Sequence, residues 1–279
     1  MSTTFASFED NSSIRRDYGE ESTAVLGVST QTAPVWNNRD AAFYAQHLAA
    51  SDYLTTVGDT LRRQVGLTDH LIDVGAGSGL LGRSLVNDGG HWRALEPNAY
   101  MRGCIQTLAA QSPSVRLTLH SDLWQDIPTL MLPPADVVLC ANIPVDSGQA
   151  VAFVEATRPL AKRTLIWNLP AQQGPRTYCL SGFLPPSLHG SDCTPGYLLA
   201  LEELGERLRP DAVHFTQWHF STIFPTYADA LAHFLEKLPP LDEARREELE
   251  AYLNEHLKEV GNGWLARAPK VAASLIWQN

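Results

Sequence analysis

The chain has 279 residues, 44% of them hydrophobic and 19% charged, values of an ordinary globular protein that exclude a disordered or collagen-like chain. Its 31 acidic against 21 Lys and Arg side chains give a formal net charge of −10, so the average surface repels DNA and RNA, and no local basic patch offsets this. Cys104, Cys140, Cys179 and Cys193 show no CxxC spacing and no His-rich neighbourhood, which argues against a disulfide framework and a metal site, and no stretch approaches the ~18 apolar residues of a membrane span.

Residues 1–40 read as an N-terminal arm or lid: up to about residue 35 they are rich in Ser, Thr and acidic residues, with few large apolar ones and no apolar signal-peptide centre. A soluble, cytoplasmic protein is expected. Beyond Pro34, Ala42, Phe43, His47, Leu48, Tyr53, Leu54, Val57 and Leu61 recur with helical spacing and predict one or two helices ending before Gly66. Short apolar runs at 70–74, 92–95, 115–119, 135–140 and 164–167 predict strands, separated by segments long enough for a helix and a loop. Further runs at 213–223 and 271–277 complete a set of seven, the first with His214, Thr216 and His219 on a wetter face. The alternation predicts an α/β fold over 41–279, a mostly parallel seven-stranded sheet with helices on both faces.

Two stretches exceed a minimal sheet. Residues 170–196 hold five prolines and four glycines and read as a lid. Within 226–260, two amphipathic helices split by Pro239 and Pro240 either cap a pocket or pack on the sheet edge.

The chemistry gathers at strand ends. Asp73, Val74, Gly75, Ala76, Gly77, Ser78 and Gly79 join the first strand to a predicted helix at Leu80, Leu81, Ser84 and Leu85; the glycines permit a tight turn and close approach of a ligand, and free N–H groups at the helix start favour an anion such as a carboxylate. Glu96 ends the second strand 21 residues after Gly75, where a carboxylate accepts both hydroxyls of a ribose. Asp122, after the third strand, is placed for the exocyclic amine of adenine or, alternatively, as a helix N-cap. Cys140, Ala141, Asn142, Ile143 and Pro144 end the fourth strand at the same carboxyl edge.

These residues resemble the first three motifs of the class I S-adenosylmethionine-dependent methyltransferases: Asp73 to Gly79, then Glu96, Pro97 and Asn98, then Asp122 and Leu123. The resemblance implies a Rossmann-like methyltransferase fold with S-adenosylmethionine as cofactor, Asp73 and Gly75, Ala76, Gly77 and Gly79 at the methionine part, Glu96 and Pro97 at the ribose, and Asp122 with Leu123 at the adenine. Met101 is either a residue on the adenine face or core. Asn142, Ile143, Pro144 and Val145 are similar to the Asn-x-Pro-aromatic motif of amine-directed members, with Val145 in the aromatic position; this argues against a stacked nucleobase and leaves a small amine. Asn142's other reading is a turn residue at the strand end. Trp36, Tyr44, Trp167 and Tyr178 are expected near the open edge, where aromatic faces stabilise a sulfonium; Tyr178, in the lid, can also donate a hydrogen bond.

The expected function is alkyl transfer from S-adenosylmethionine to a small-molecule amine, with Asn142 and Tyr178 orienting it. The partner is thus a small molecule rather than nucleic acid or membrane. A rival enzyme is a cyclising synthase similar to azetidine-2-carboxylate synthases, in which the cofactor's own amine attacks its γ-carbon and methylthioadenosine leaves. A non-catalytic cofactor-binding or partner subunit is a third reading, and it predicts decay of the glycine turn or of Glu96, neither of which is seen.

Overall fold

The computed structural model describes residues 37–173, 182–189 and 194–279. Trp36 and the predicted arm before it, and Tyr178, Cys179 and Cys193 of the predicted lid, lie outside the described residues. Helix α1 (Asn38–Ala49) begins where Asn37 Oδ1 accepts the Asp40 N–H at 2.9 Å, and α2 (Asp59–Val65) ends at Gly66, whose φ of 75° suits a residue without a Cβ. A π-helical turn, Leu54–Gly58, joins them. The elements that follow are β1 (Thr68–Val74), α3 (Leu80–Arg83), β2 (Val86–Leu95), α4 (Ala99–Ala110), β3 (Arg116–His120), β4 (Ala135–Ala141), α5 (Ala150–Thr157) and β5 (Ala161–Pro170). Then come α6 (Pro186–His189), α7 (Gly196–Leu204), β6 (Ala212–Phe224), α8 (Tyr227–Lys237), α9 (Glu243–His256), β7 (Lys258–Val260) and β8 (Gly263–Gln278).

The sheet order is β3-β2-β1-β4-β5-β8-β6, with β7 paired to β8. Strands β1 to β5 are parallel, and β8 runs antiparallel between β5 and β6. This is the expected Rossmann-like α/β architecture with one short strand added. A sheet buried on both faces needs apolar runs rather than alternation. Leu71, Trp92, Leu139 and Ile166 pack beneath α1 to α4, while Ile72, Val138, Leu165 and Trp277 pack against α5 and α7.

Several boundaries differ from expectation for local reasons. The helix after the glycine turn is a single turn, because the chain leaves it at Ser84 and enters β2 at Val86, where Val86 pairs with Thr68. The β3 to β4 connection holds a 3-10 turn, Trp124–Thr129, with Pro128 inside it, and a proline there removes a helical N–H. Val260, predicted as helical, lies in β7, since α9 stops at His256.

Strands β6 and β8 outrun the sheet. Their pairing from Gln217 with Val271 to Phe224 with Trp264 continues past Pro170, the end of β5, as a ribbon eight residues long on each strand, about 27 Å at 3.4 Å per residue. Trp218, Phe220 and Phe224 of this ribbon join Ala230 and Phe234 of α8 and Leu249 and Leu253 of α9 in the core on the α1 to α4 side, so the two predicted helices pack on an extension above the carboxyl edge. Pro269 is tolerated in β8 because its nitrogen faces the side that β5 no longer covers. There Gly182, at φ 81°, comes so close to the Pro269 carbonyl that a Cβ would collide with it. Phe183, Leu184 and Leu188, inside the predicted lid, are buried, and the Tyr252 hydroxyl donates to the Phe183 carbonyl at 2.5 Å. As an edge strand, β6 has outward N–H groups; those of His219 and Ser221 donate to Asp52 Oδ1 at 2.6 Å and Ser51 Oγ at 2.8 Å. Among the described residues no helix is long and apolar enough to cross a membrane.

Candidate functional site

Parallel strands place their carboxyl ends at one edge, and the order reverses between β1 and β4, so the crevice of this sheet lies where those two strands end. Asp73 stands one residue before the end of β1, 2% exposed, with Oδ2 accepting from Trp92 Nε1 at 3.3 Å. Burial pushes its pKa up to about 7, the Trp92 bond opposes this, and the charge of Glu96 adds to it.

Gly75 follows at φ 63°, and a Cβ there would lie 2.8 Å from Ile143 Cδ1. The glycine thus lets the loop after β4 press directly on the turn after β1. Three backbone donors of the turn are already used: Ala76 N–H goes to Leu95 O at 3.0 Å, Gly77 N–H to Glu96 Oε2 at 2.7 Å, and Gly79 N–H to Ala76 O at 2.9 Å. The expected free N–H groups are therefore corrected at these positions, and a four-residue α3 adds no useful macrodipole.

Glu96 is 6% exposed and accepts from Gly77 N–H through one oxygen and from Asn98 N–H, at 2.8 Å, through the other. Burial raises its pKa, opposed by these two bonds and by the Arg102 charge. A carboxylate has about four lone-pair sites, so both oxygens keep capacity for further donors. The Pro97 carbonyl accepts from Arg102 at 2.7 Å. Asn98 caps α4, taking the Met101 N–H at 3.0 Å, and the Met101 side chain is buried with Ala41 and Ala45 of α1, which is the core reading of that residue.

The Glu96 N–H donates to the His120 carbonyl at 3.0 Å, joining the ends of β2 and β3. Asp122 lies two residues on, its Oδ2 3.8 Å from His120 Nδ1 and its side chain 36% exposed. It does not cap the following turn: the Leu123 N–H goes to Asp126 Oδ2 at 2.9 Å.

Asn142 directly follows β4 at φ 53°, the one non-glycine residue with positive φ among those described. Asparagine tolerates this left-handed conformation better than most side chains. Its N–H donates to the Asn168 carbonyl at 2.9 Å, and its Nδ2 to the Tyr53 hydroxyl at 3.4 Å. Tyr53 is 3% exposed, its ring set edge-on to Trp218 at 4.7 Å, and burial pushes its pKa well up. Asp73, the glycine turn, Glu96, Asn142 and Tyr53 thus form one connected group at the switch between β1 and β4.

The aromatic expectations divide. Trp167 is core on the opposite face, 1% exposed and 4.6 Å from Phe153, so its placement at the open edge is corrected. Tyr44 stacks on Phe220 at 5.9 Å and 11°. Tyr53 escaped the sequence reading because helical spacing shows it as one more apolar residue. Asn168 carried a usable signal, since it directly follows the predicted strand 164–167 as Asn142 closely follows the predicted strand 135–140, although β5 itself runs on to Pro170.

Neither a protein-family model nor a curated protein sequence matches the chain. Solved structures do. The YcgJ protein of Bacillus subtilis is 14% identical, with 80% of this chain and 97% of that one covered at a TM-score of 0.45. A precorrin-6y C5,15-methyltransferase from Geobacter metallireducens is 15% identical over 79% and 87%, at 0.43. A magnesium protoporphyrin IX methyltransferase from Synechocystis, with bound SAH, is 13% identical over 87% and 89%, at 0.42. Likeness of this degree leaves the chemistry to the chain's own residues.

Proposed function

We propose that the chain catalyses alkyl transfer from S-adenosylmethionine to the nitrogen of a small-molecule amine. The observation that carries this reading is Asn142, held in a left-handed conformation at the end of β4, tied to Tyr53, and pressed through its neighbour Ile143 onto Gly75. The ligand fits the residues present: two buried carboxylates, Asp73 and Glu96, suit a molecule carrying cationic groups beside ribose hydroxyls. When bound, S-adenosylmethionine supplies a carbon made electrophilic by its sulfonium. Because Nδ2 of Asn142 donates to Tyr53, Oδ1 is left to accept an amine N–H and to fix the nitrogen lone pair in line. Met101 would support the bound nucleoside through α4 rather than by stacking.

A second reading is cyclisation, in which the attacking amine is the cofactor's own. It is favoured by the aromatic packing at Asn142: Tyr53, which it hydrogen-bonds, and Trp218 and Phe220, packed in series with Tyr53, are 3%, 7% and 2% exposed. Identifying the nucleoside formed from S-adenosylmethionine decides between them. Adenosylhomocysteine appearing only with an added amine supports transfer, methylthioadenosine above the chemical background supports cyclisation, and neither product refutes both.

A further inference from the structure

Asn168 lies in β5, two residues before its end at Pro170, next to the chain that leaves β4. It is 0% exposed and lies opposite Ala141 in the β4 to β5 register, so its backbone carbonyl can hold the Asn142 N–H at 2.9 Å. Its side chain is on the face of the sheet that carries Asp73, where its Nδ2 donates to Ser274 Oγ of β8 at 2.9 Å, and Ser274 is itself 1% exposed. That bond fixes the plane of the amide and leaves Oδ1 as a buried oxygen with no hydrogen-bond partner. A buried acceptor without a donor costs stability that an apolar side chain would not, and folds bear such a cost where a ligand returns it.

Resting on the reading of this edge as an amine-alkylating site, we propose that Asn168 Oδ1 is a second acceptor for the attacking amine. The substrate class is then an amine that presents two N–H groups, one to Asn142 and one to Asn168. Two amide oxygens, one just after β4 and one within the neighbouring β5, hold two N–H bonds and leave the lone pair as the remaining direction of the nitrogen. The N–C bond forms as the C–S bond breaks, the bonding pair returns to sulfur as a neutral thioether, and the new ammonium gives up a proton to solvent. Ser274 acts through Asn168 as a positioning residue.

The test replaces both partners by apolar groups, Asn168→Leu with Ser274→Ala, and compares the melting temperature without ligand, the calorimetric affinity for S-adenosylmethionine, and turnover on a primary amine. The expected double variant melts no lower than wild type, keeps cofactor affinity within about 3-fold, and loses more than ~10-fold in turnover. Asn168→Asp, which keeps acceptor oxygens but no Nδ2, is expected to retain turnover within ~10-fold, whether or not the double variant folds. A marked fall in melting temperature with unchanged turnover per folded molecule, or an Asp variant as inactive as the double, overturns the inference. A wild type that neither binds nor consumes S-adenosylmethionine overturns the functional reading itself, a result separate from an active wild type whose variants are unaffected.

Discussion

Glu96 has two tasks that pull in different directions. It anchors the turn through Gly77 and Asn98, and on the proposed reading its remaining lone pairs accept from a ribose. Glu96→Ala is therefore expected to weaken S-adenosylmethionine binding by ~1.5 to 3 kcal/mol and also to lower the melting temperature, as the Gly77 and Asn98 N–H groups lose their acceptor. Calorimetry and a thermal scan on the same sample check this, and unchanged affinity in a folded variant would remove Glu96 from the site. On the proposed reading, Asn142 and Tyr53 act on the reacting amine instead of on cofactor affinity. Asn142→Ala and Tyr53→Phe should each lower turnover by more than ~10-fold while cofactor affinity moves by less than about 1 kcal/mol. Steady-state kinetics beside calorimetry reads this split, and a proportional loss of both would assign the pair to cofactor binding. At this scale the position of Asp73, Glu96 and Asn142 at one edge of the sheet was legible from motif spacing. Tyr53 and Ser274 were not, because their roles come from pairings 89 and 106 residues apart, with Asn142 and Asn168, that no local pattern encodes.

Between elements, the loop after β4 is held from a distance. Glu203 of α7 accepts from Gly148 N–H at 2.6 Å and Ala150 N–H at 2.9 Å, serving as an external cap for α5, whose own N-cap residue Gln149 offers no side-chain bond. Glu203→Ala is expected to cost roughly 1 kcal/mol, as loss of a cap does. The urea midpoint measures it, and hydrogen exchange should quicken first in residues 142–150; exchange unchanged there would show that the clasp does not hold the loop. The strands β1, β3, β4, β5 and β6 were legible because short apolar runs bounded by turn residues admit few other structures. The start of β2 was hidden by Asn87, Asp88, Gly89 and Gly90, polar and glycine residues that lie in the strand as a register shift between the Val86 pair with Thr68 and the His91 pair with His70. Likewise the ribbon half of β8 was hidden by Pro269 and by an alternation that only makes sense once α8 and α9 cover one side.

For the molecule as a whole, buried titratable groups set opposite pH limits. Burial, with Lys237 adding, pushes the His233 pKa from 6.5 down to about 4, and burial lowers His47 as well. Their folded values lie below the unfolded one, so the unfolded chain binds more protons between about 4 and 6.5 and stability is lost as pH falls through that window. Asp73 is opposite: its pKa rises from 3.8 to about 7, so its contribution is present below 3.8 and fades as pH rises through about 7. His233 stacks on Phe43 at 4.9 Å, and His233→Phe keeps that contact without a titrating group. Its melting temperature should fall less than that of wild type between pH 6.5 and 4. Parallel profiles would place the acid sensitivity elsewhere.

The central claim is that this carboxyl edge moves an alkyl group from sulfur to nitrogen. Methyl-deuterated S-adenosylmethionine, incubated with the purified chain and a panel of small primary amines and followed by mass spectrometry, tests that claim most directly. The expected result is a trideuteromethyl group on the nitrogen of one amine class, in equal amount with adenosylhomocysteine and abolished by Asn142→Ala. Label that stays entirely in unconsumed S-adenosylmethionine, with every amine unchanged, would contradict it.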